Sequence, residues 1–224
     1  MKWLRLVFDF VLMLIVGLWV LWVFWGVPPA QAEAGAWAQK LMYIHVPSAI
    51  IGYVGLAMVA FFSLGVLLGD TRRWDPAMRG SLEVSYVFAS FVIITGPFWA
   101  RPAWGTWWRW EPQLTTFFIM WLMFGGWFLL RNVLPEGTLR KTYSAIYSLL
   151  VFFNVPVVMA SAYFWQPQVQ LHPREDRLTM EPIMNQTFYV SIAVMGLIFA
   201  RFLWLSFDLE HLKERSRELI YEKH

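Results

Sequence analysis

Cysteine is absent from the 224 residues, which excludes disulfides, thiolate metal ligands and thiol chemistry. Charge is scarce: Asp, Glu, Lys and Arg make up 15% of the chain, against 58% hydrophobic residues. That balance, spread over long uncharged runs, overrules the soluble domain that length alone would suggest. No phosphate-binding loop, dinucleotide fingerprint or zinc-finger spacing occurs, so the sequence carries no motif for nucleotide hydrolysis or zinc-dependent folding. Internal repeats and low-complexity segments are missing too. The strict apolar–polar alternation of a membrane barrel is not found. The net charge is only +3 and its cations sit near the ends of apolar runs, which points to membrane orientation and away from nucleic-acid binding.

What remains is a set of apolar stretches long enough to cross a bilayer, for which about 18 or more residues suffice. Backbone in lipid must satisfy its own hydrogen bonds, so the spans are expected to be helices. Six can be drawn: about 6–27, 46–68, 82–99, 114–130, 143–165 and 188–207. Pro28-Pro29, Gly69-Asp70, Pro97, Pro112, Pro135-Glu136-Gly137 and Pro167 punctuate them. The expected fold is an all-α integral membrane protein, a six-helix transmembrane bundle with a short Trp-rich segment outside. Residues 1–207 form the membrane domain and residues 208–224 a charged tail. Ala30-Gln31-Ala32 resembles a signal-peptidase site. The preceding apolar run exceeds the usual length of about 7–15 residues, and the reading favours a retained span.

Lys and Arg set the orientation. Lys2, Arg5, Arg72, Arg73, Arg79, Arg131, Arg140, Lys141, Arg201, Lys213, Arg215, Arg217 and Lys223 fall on one side. Lys40, Arg101, Arg109, Arg174 and Arg177 fall on the other. Both termini are therefore expected in the cytoplasm. The segments at about 28–45, 98–113 and 166–187 face outward, which in a bacterium is the periplasm.

The outward side holds the unusual residues. Trp99, Trp104, Trp107, Trp108 and Trp110 fall within twelve positions. As a short helix over 104–111, Trp104, Trp107, Trp108 and Glu111 would share one face, lying flat at the interface after a chain bend at Pro97 and Pro102. Tryptophan also anchors helices at membrane surfaces, but one or two anchors per span would do, and this density suits a flat, hydrophobic ligand. Two histidines lie on the same side, His45 at the mouth of the second span and His172 in the last outward segment. Each alone reads as an interfacial polar residue. Together, flanking an aromatic platform, they could ligate haem iron from opposite faces. Both readings stand on the residues alone. Lys40, Arg101 and Arg109 could meet haem propionates or simply snorkel at the interface.

The string Trp104-Gly105-Thr106-Trp107-Trp108-Arg109-Trp110-Glu111 resembles the tryptophan-rich WWD signature of the haem exporter protein C family (CcmC) of bacterial cytochrome c maturation. His45 within Ile44-His45-Val46-Pro47 and His172 after Leu171 agree with that pattern, as do the size and the order of spans. The family's signature ends in Asp; here Glu111 keeps the charge with one more methylene. The resemblance implies a non-enzymatic haem-handling protein of the bacterial inner membrane. Haem b would lie transiently on Trp104, Trp107, Trp108 and Trp110, near Glu111, Arg101, Arg109 and Lys40, with His45 and His172 as axial ligands. It implies delivery to the periplasmic haem chaperone CcmE, in a complex with the ATPase CcmA, the membrane subunit CcmB and the small subunit CcmD.

Three other functions fit the pattern less well. A transporter moving haem through its own bundle would need ionisable residues along a path, and Asp9, Glu83 and Arg201 all lie near the cytoplasmic ends. An electron-transfer subunit would hold its histidines inside the bundle, whereas these lie at the rim. A scaffold would use the tryptophans only as anchors.

Overall fold

The computed structural model describes residues 2–29, 36–165 and 180–221. Its elements are α1 (Lys2–Leu21), continued by a π-helical turn (Trp22–Gly26), a 3-10 turn (Ala36–Leu41), α2 (Met42–Leu68), α3 (Thr71–Trp104), α4 (Pro112–Val133), α5 (Thr138–Phe164) and α6 (Pro182–Tyr221). No strand occurs among the described residues. Six helices are long and apolar enough to cross a membrane.

The helices are held by two cores that share α2 and α3. One joins Leu56 and Val59 of α2 and Met78 and Leu82 of α3 to Phe117, Met120, Phe124 and Trp127 of α4 and Val151 and Val158 of α5. The other joins Tyr43, Val84 and Phe88 to Trp19 and Val23 near the end of α1 and Val194, Met195 and Phe199 of α6. The α2–α3 hairpin is thus the central layer, with α4–α5 on one flank and α1–α6 on the other. Hydroxyls in these cores are hidden by donating to the carbonyl one turn back, as in Ser63 to Val59 (2.7 Å) and Ser85 to Ser81 (2.7 Å). Large side chains such as Leu4, Phe10, Met13 and Leu18 point outward from α1. That would be a liability in water and is the ordinary lining of a lipid-facing helix.

The two ends of the bundle differ in chemistry. At the end holding the starts of α1, α3 and α5, ion pairs link the helices: Arg5 with Asp208 (2.6 Å), Arg201 with Asp9, Arg79 with Glu210 (3.2 Å) and Arg131 with Asp75 (2.7 Å), while Glu83 steadies Arg79 from one turn along α3 (2.7 Å). At the other end, neutral hydrogen bonds do this: Trp22 Nε1 donates to Thr187 Oγ1 (3.1 Å), and Thr116 meets Ser161 (3.2 Å). The first end carries the cation-rich segments, and the second the indoles and His45.

Helix ends depart from the expected bounds. The third span was expected to close near Trp99, broken by Pro97 and Pro102; instead α3 runs through both prolines to Trp104. A proline removes one amide donor, and a membrane helix tolerates that where neighbours or water serve the freed carbonyl. What stops α3 is Gly105, in the left-handed region at φ 74°, where a Cβ is disfavoured. Its N–H bonds the Arg101 carbonyl at 3.0 Å. At the far end α6 continues without a break past Asp208 to Tyr221, so the charged tail extends the last span as helix.

Candidate functional site

His45 lies in the first turn of α2, half-buried against α3. Its Nδ1 is 3.0 Å from Thr95 Oγ1, and the Thr95 hydroxyl is 2.6 Å from the Phe91 carbonyl oxygen. Gly96 adjoins the ring: a Cβ there would stand 3.3 Å from His45 Cε1. One turn further along α3, Trp99 donates its indole N–H to Gln39 Oε1 (3.1 Å) and packs edge-on against Trp104, centroids 4.9 Å apart. Helix α3 therefore carries both the imidazole's partner and the first indoles, about 6 Å apart along the axis at 1.5 Å per residue.

The Trp-rich segment is not the short helix expected over 104–111. Trp104 ends α3, residues 105–111 are irregular, and Pro112 opens α4 as its first residue. Gly105 turns the chain out of α3, and Glu111, extended at φ −76° and ψ 156°, caps the next helix. The three indoles consequently do not share one helical face. Trp107 packs edge-on against Phe98 (5.8 Å), whereas Trp108 and Trp110 pack against each other (5.8 Å) and around Phe118 of α4 (5.9 and 6.2 Å). Phe118 in turn stacks on Trp121 (6.1 Å, 13°). Trp107 and Trp110 remain 54% and 73% exposed, so their faces are open to a ligand. Glu111 is buried, its carboxylate at the N-terminus of α4, where the helix dipole favours negative charge.

The cations divide. Arg109 is exposed beside the open indoles. Arg101 is exposed and donates through Nη1 to the Gly105 carbonyl, bracing the turn. Lys40 departs from expectation. It is buried, and its Nζ donates to the carbonyls of Phe24 (2.6 Å) and Val27 (2.7 Å) while lying over the Trp37 ring (4.3 Å). The end of α1 leaves carbonyls without helical donors, and the 3-10 turn folds Lys40 beneath them. It caps the helix, and its burial turns the ammonium inward, away from the open indoles, in this arrangement. His172 lies outside the described residues, in the segment that joins α5 to α6.

Thr95 and Gly96 were not singled out from the sequence, nor were Phe118 and Trp121. The only cue was the Thr95-Gly96-Pro97 string just inside the outer end of a span.

The model of the family described as "Heme exporter protein C" matches residues 1–222. Proteins named "Heme exporter protein C" are similar along most of their length. The one from Escherichia coli K12 is 29% identical over 218 residues, covering 95% of this chain and 82% of that protein. The one from Rhodobacter capsulatus is 29% identical, covering 87% and 82%. The one from Bradyrhizobium diazoefficiens is 27% identical, covering 86% and 70%.

Proposed function

Because the chain belongs to the haem exporter protein C family, we propose that it holds haem at the outer end of its bundle and passes it on during cytochrome c maturation. The observation that carries this reading is the half-buried imidazole of His45, anchored on α3 at Thr95, one turn from Trp99 and on the same helix as Phe98, against which the open Trp107 packs. A porphyrin brings four nitrogens to its iron, so axial histidines are what the protein must add. His45 supplies one and His172 the other. The indole faces give the macrocycle an apolar bed. Arg109, with Arg101 at the turn, provides guanidinium groups for the propionates. Lys40 has no part in this.

The segment's irregular backbone suits transfer. A ligand held on a loop can be approached at its edge by a second protein, and that protein is the chaperone CcmE. CcmA, CcmB and CcmD complete the complex, in the bacterial inner membrane. The cation-rich end with its ion pairs faces the cytoplasm and the indoles face the periplasm. No reaction is catalysed by this chain; it positions haem b for a transient stay.

The alternative is passage of haem through the bundle itself. A cavity between α2, α3 and α4, lined by Ser48, Tyr53, Leu56, Phe117 and Met120 among others, measures about 10 Å³. That is the size of a water site and far too small for haem. Absorption spectra of the purified protein and its His45→Ala and His172→Ala variants test the proposal. Each variant should lose the low-spin spectrum; retention of that spectrum in both would move the ligands elsewhere.

A further inference from the structure

Two hydrogen bonds in series bear on which nitrogen of His45 carries a proton. A carbonyl oxygen can only accept, so the Thr95 hydroxyl commits its proton to Phe91 across 2.6 Å. The same oxygen, its proton spent, can only accept from the His45 nitrogen 3.0 Å away. In a neutral ring, that arrangement puts the proton on Nδ1 and the lone pair on Nε2. This is the minor tautomer of imidazole in water and the one that binds a metal through Nε2. Gly96 completes the seat: a Cβ there would stand 3.3 Å from Cε1, so a larger residue would shift the ring by a few tenths of an ångström.

We propose that Thr95 is a positioning residue that selects His45 Nε2 as the iron-binding atom, with Gly96 making room for the ring. This rests on the reading of His45 as an iron ligand and extends it to the group that sets its tautomer and orientation. The chain Nδ1–H to Oγ1–H to the Phe91 carbonyl also pulls electron density toward Nε2. Groups hydrogen-bonded to the far side of a ligating histidine raise its basicity, and their loss typically costs about 10- to 100-fold in affinity. A more basic ligand favours ferric over ferrous iron, so Thr95 holds the reduction potential of bound haem down.

The test has two arms. In the haem-free protein in lipid nanodiscs, labelled with ¹⁵N-histidine, the His45 resonances are assigned by their loss in His45→Gln. The wild type and Thr95→Ser should show the Nδ1–H pattern, and Thr95→Val should move toward the Nε2–H form. With haem added, Thr95→Val should bind about tenfold more weakly and shift to a more positive potential, with both restored in Thr95→Ser. If Thr95→Val leaves tautomer, affinity and potential as in the wild type, the inference is wrong even though His45 can still be a ligand. If His45→Ala keeps the wild-type spectrum, the ligand reading itself fails, and the role of Thr95 with it. Should Thr95→Val not insert, Gly96→Ala perturbs the same ring from its other contact. It should weaken haem binding and change the electron paramagnetic g-values, and wild-type values would count against the seat.

Discussion

Replacing Trp107 or Trp110 by alanine should weaken haem binding about tenfold without unfolding the protein. An aromatic side chain of this size presents ~200 Å². At 54% and 73% exposure, roughly 110 and 150 Å² are open to a ligand, worth about 2.7 and 3.7 kcal/mol if fully covered at ~25 cal/mol per Å². A flat macrocycle covers one face of an indole, so about half of each figure is realised, or ~1.4 to 1.8 kcal/mol, each near a factor of ten in Kd. The assay is titration of haem into the haem-free protein in nanodiscs, followed by absorbance. Trp99→Ala serves as the contrast, because its indole is engaged with Gln39 and Trp104 and its loss should lower thermal stability. If both Trp107→Ala and Trp110→Ala bind haem as tightly as the wild type, these indoles are membrane anchors and the ligand-bed argument is wrong.

Other substitutions test the supporting structure. Lys40→Met should lower stability by about 2 kcal/mol by stranding two carbonyls that accept from a charged donor. Its haem spectrum should stay unchanged, and a lost spectrum at full stability would return Lys40 to the site. Asp75→Asn removes half of a bidentate pair whose side chains are only 8% and 13% exposed. It should cost about 3 kcal/mol in thermal unfolding, with Asp75→Leu combined with Arg131→Met costing less than Asp75→Asn alone. Gly105→Ala forces a Cβ into φ 74° at a cost of about 1 kcal/mol. It should weaken haem binding more than it lowers the unfolding midpoint, since the turn aims the Trp segment.

The six spans were legible because a run of some twenty apolar residues has few other uses. Their ends were not. Hydropathy falls at the interface, but backbone bonding does not stop there, and α3 passes Pro97 and Pro102 until a left-handed glycine ends it. The indole spacing i, i+3, i+4 was read as helical, yet spacing cannot outweigh a terminating Gly105 on one side and a helix-opening Pro112 on the other. Lys40 was read from its outward position as a cation that could meet a propionate or snorkel; in the structure its ammonium donates to carbonyls 13 and 16 residues away in the chain. His45 was recognised as a candidate but its support was not, because Thr95 is 50 residues distant. Residue types pointed to the chemistry of the candidate site, and tertiary contacts determined which of them lie together.

The most direct measurement is near-infrared magnetic circular dichroism of the haem-loaded, oxidised wild-type protein, which reports the identity of both axial ligands at once. Two neutral imidazoles, and loss of that signature in either His45→Ala or His172→Ala, is the result expected here. A methionine, hydroxide or single-histidine signature in the wild type would contradict it.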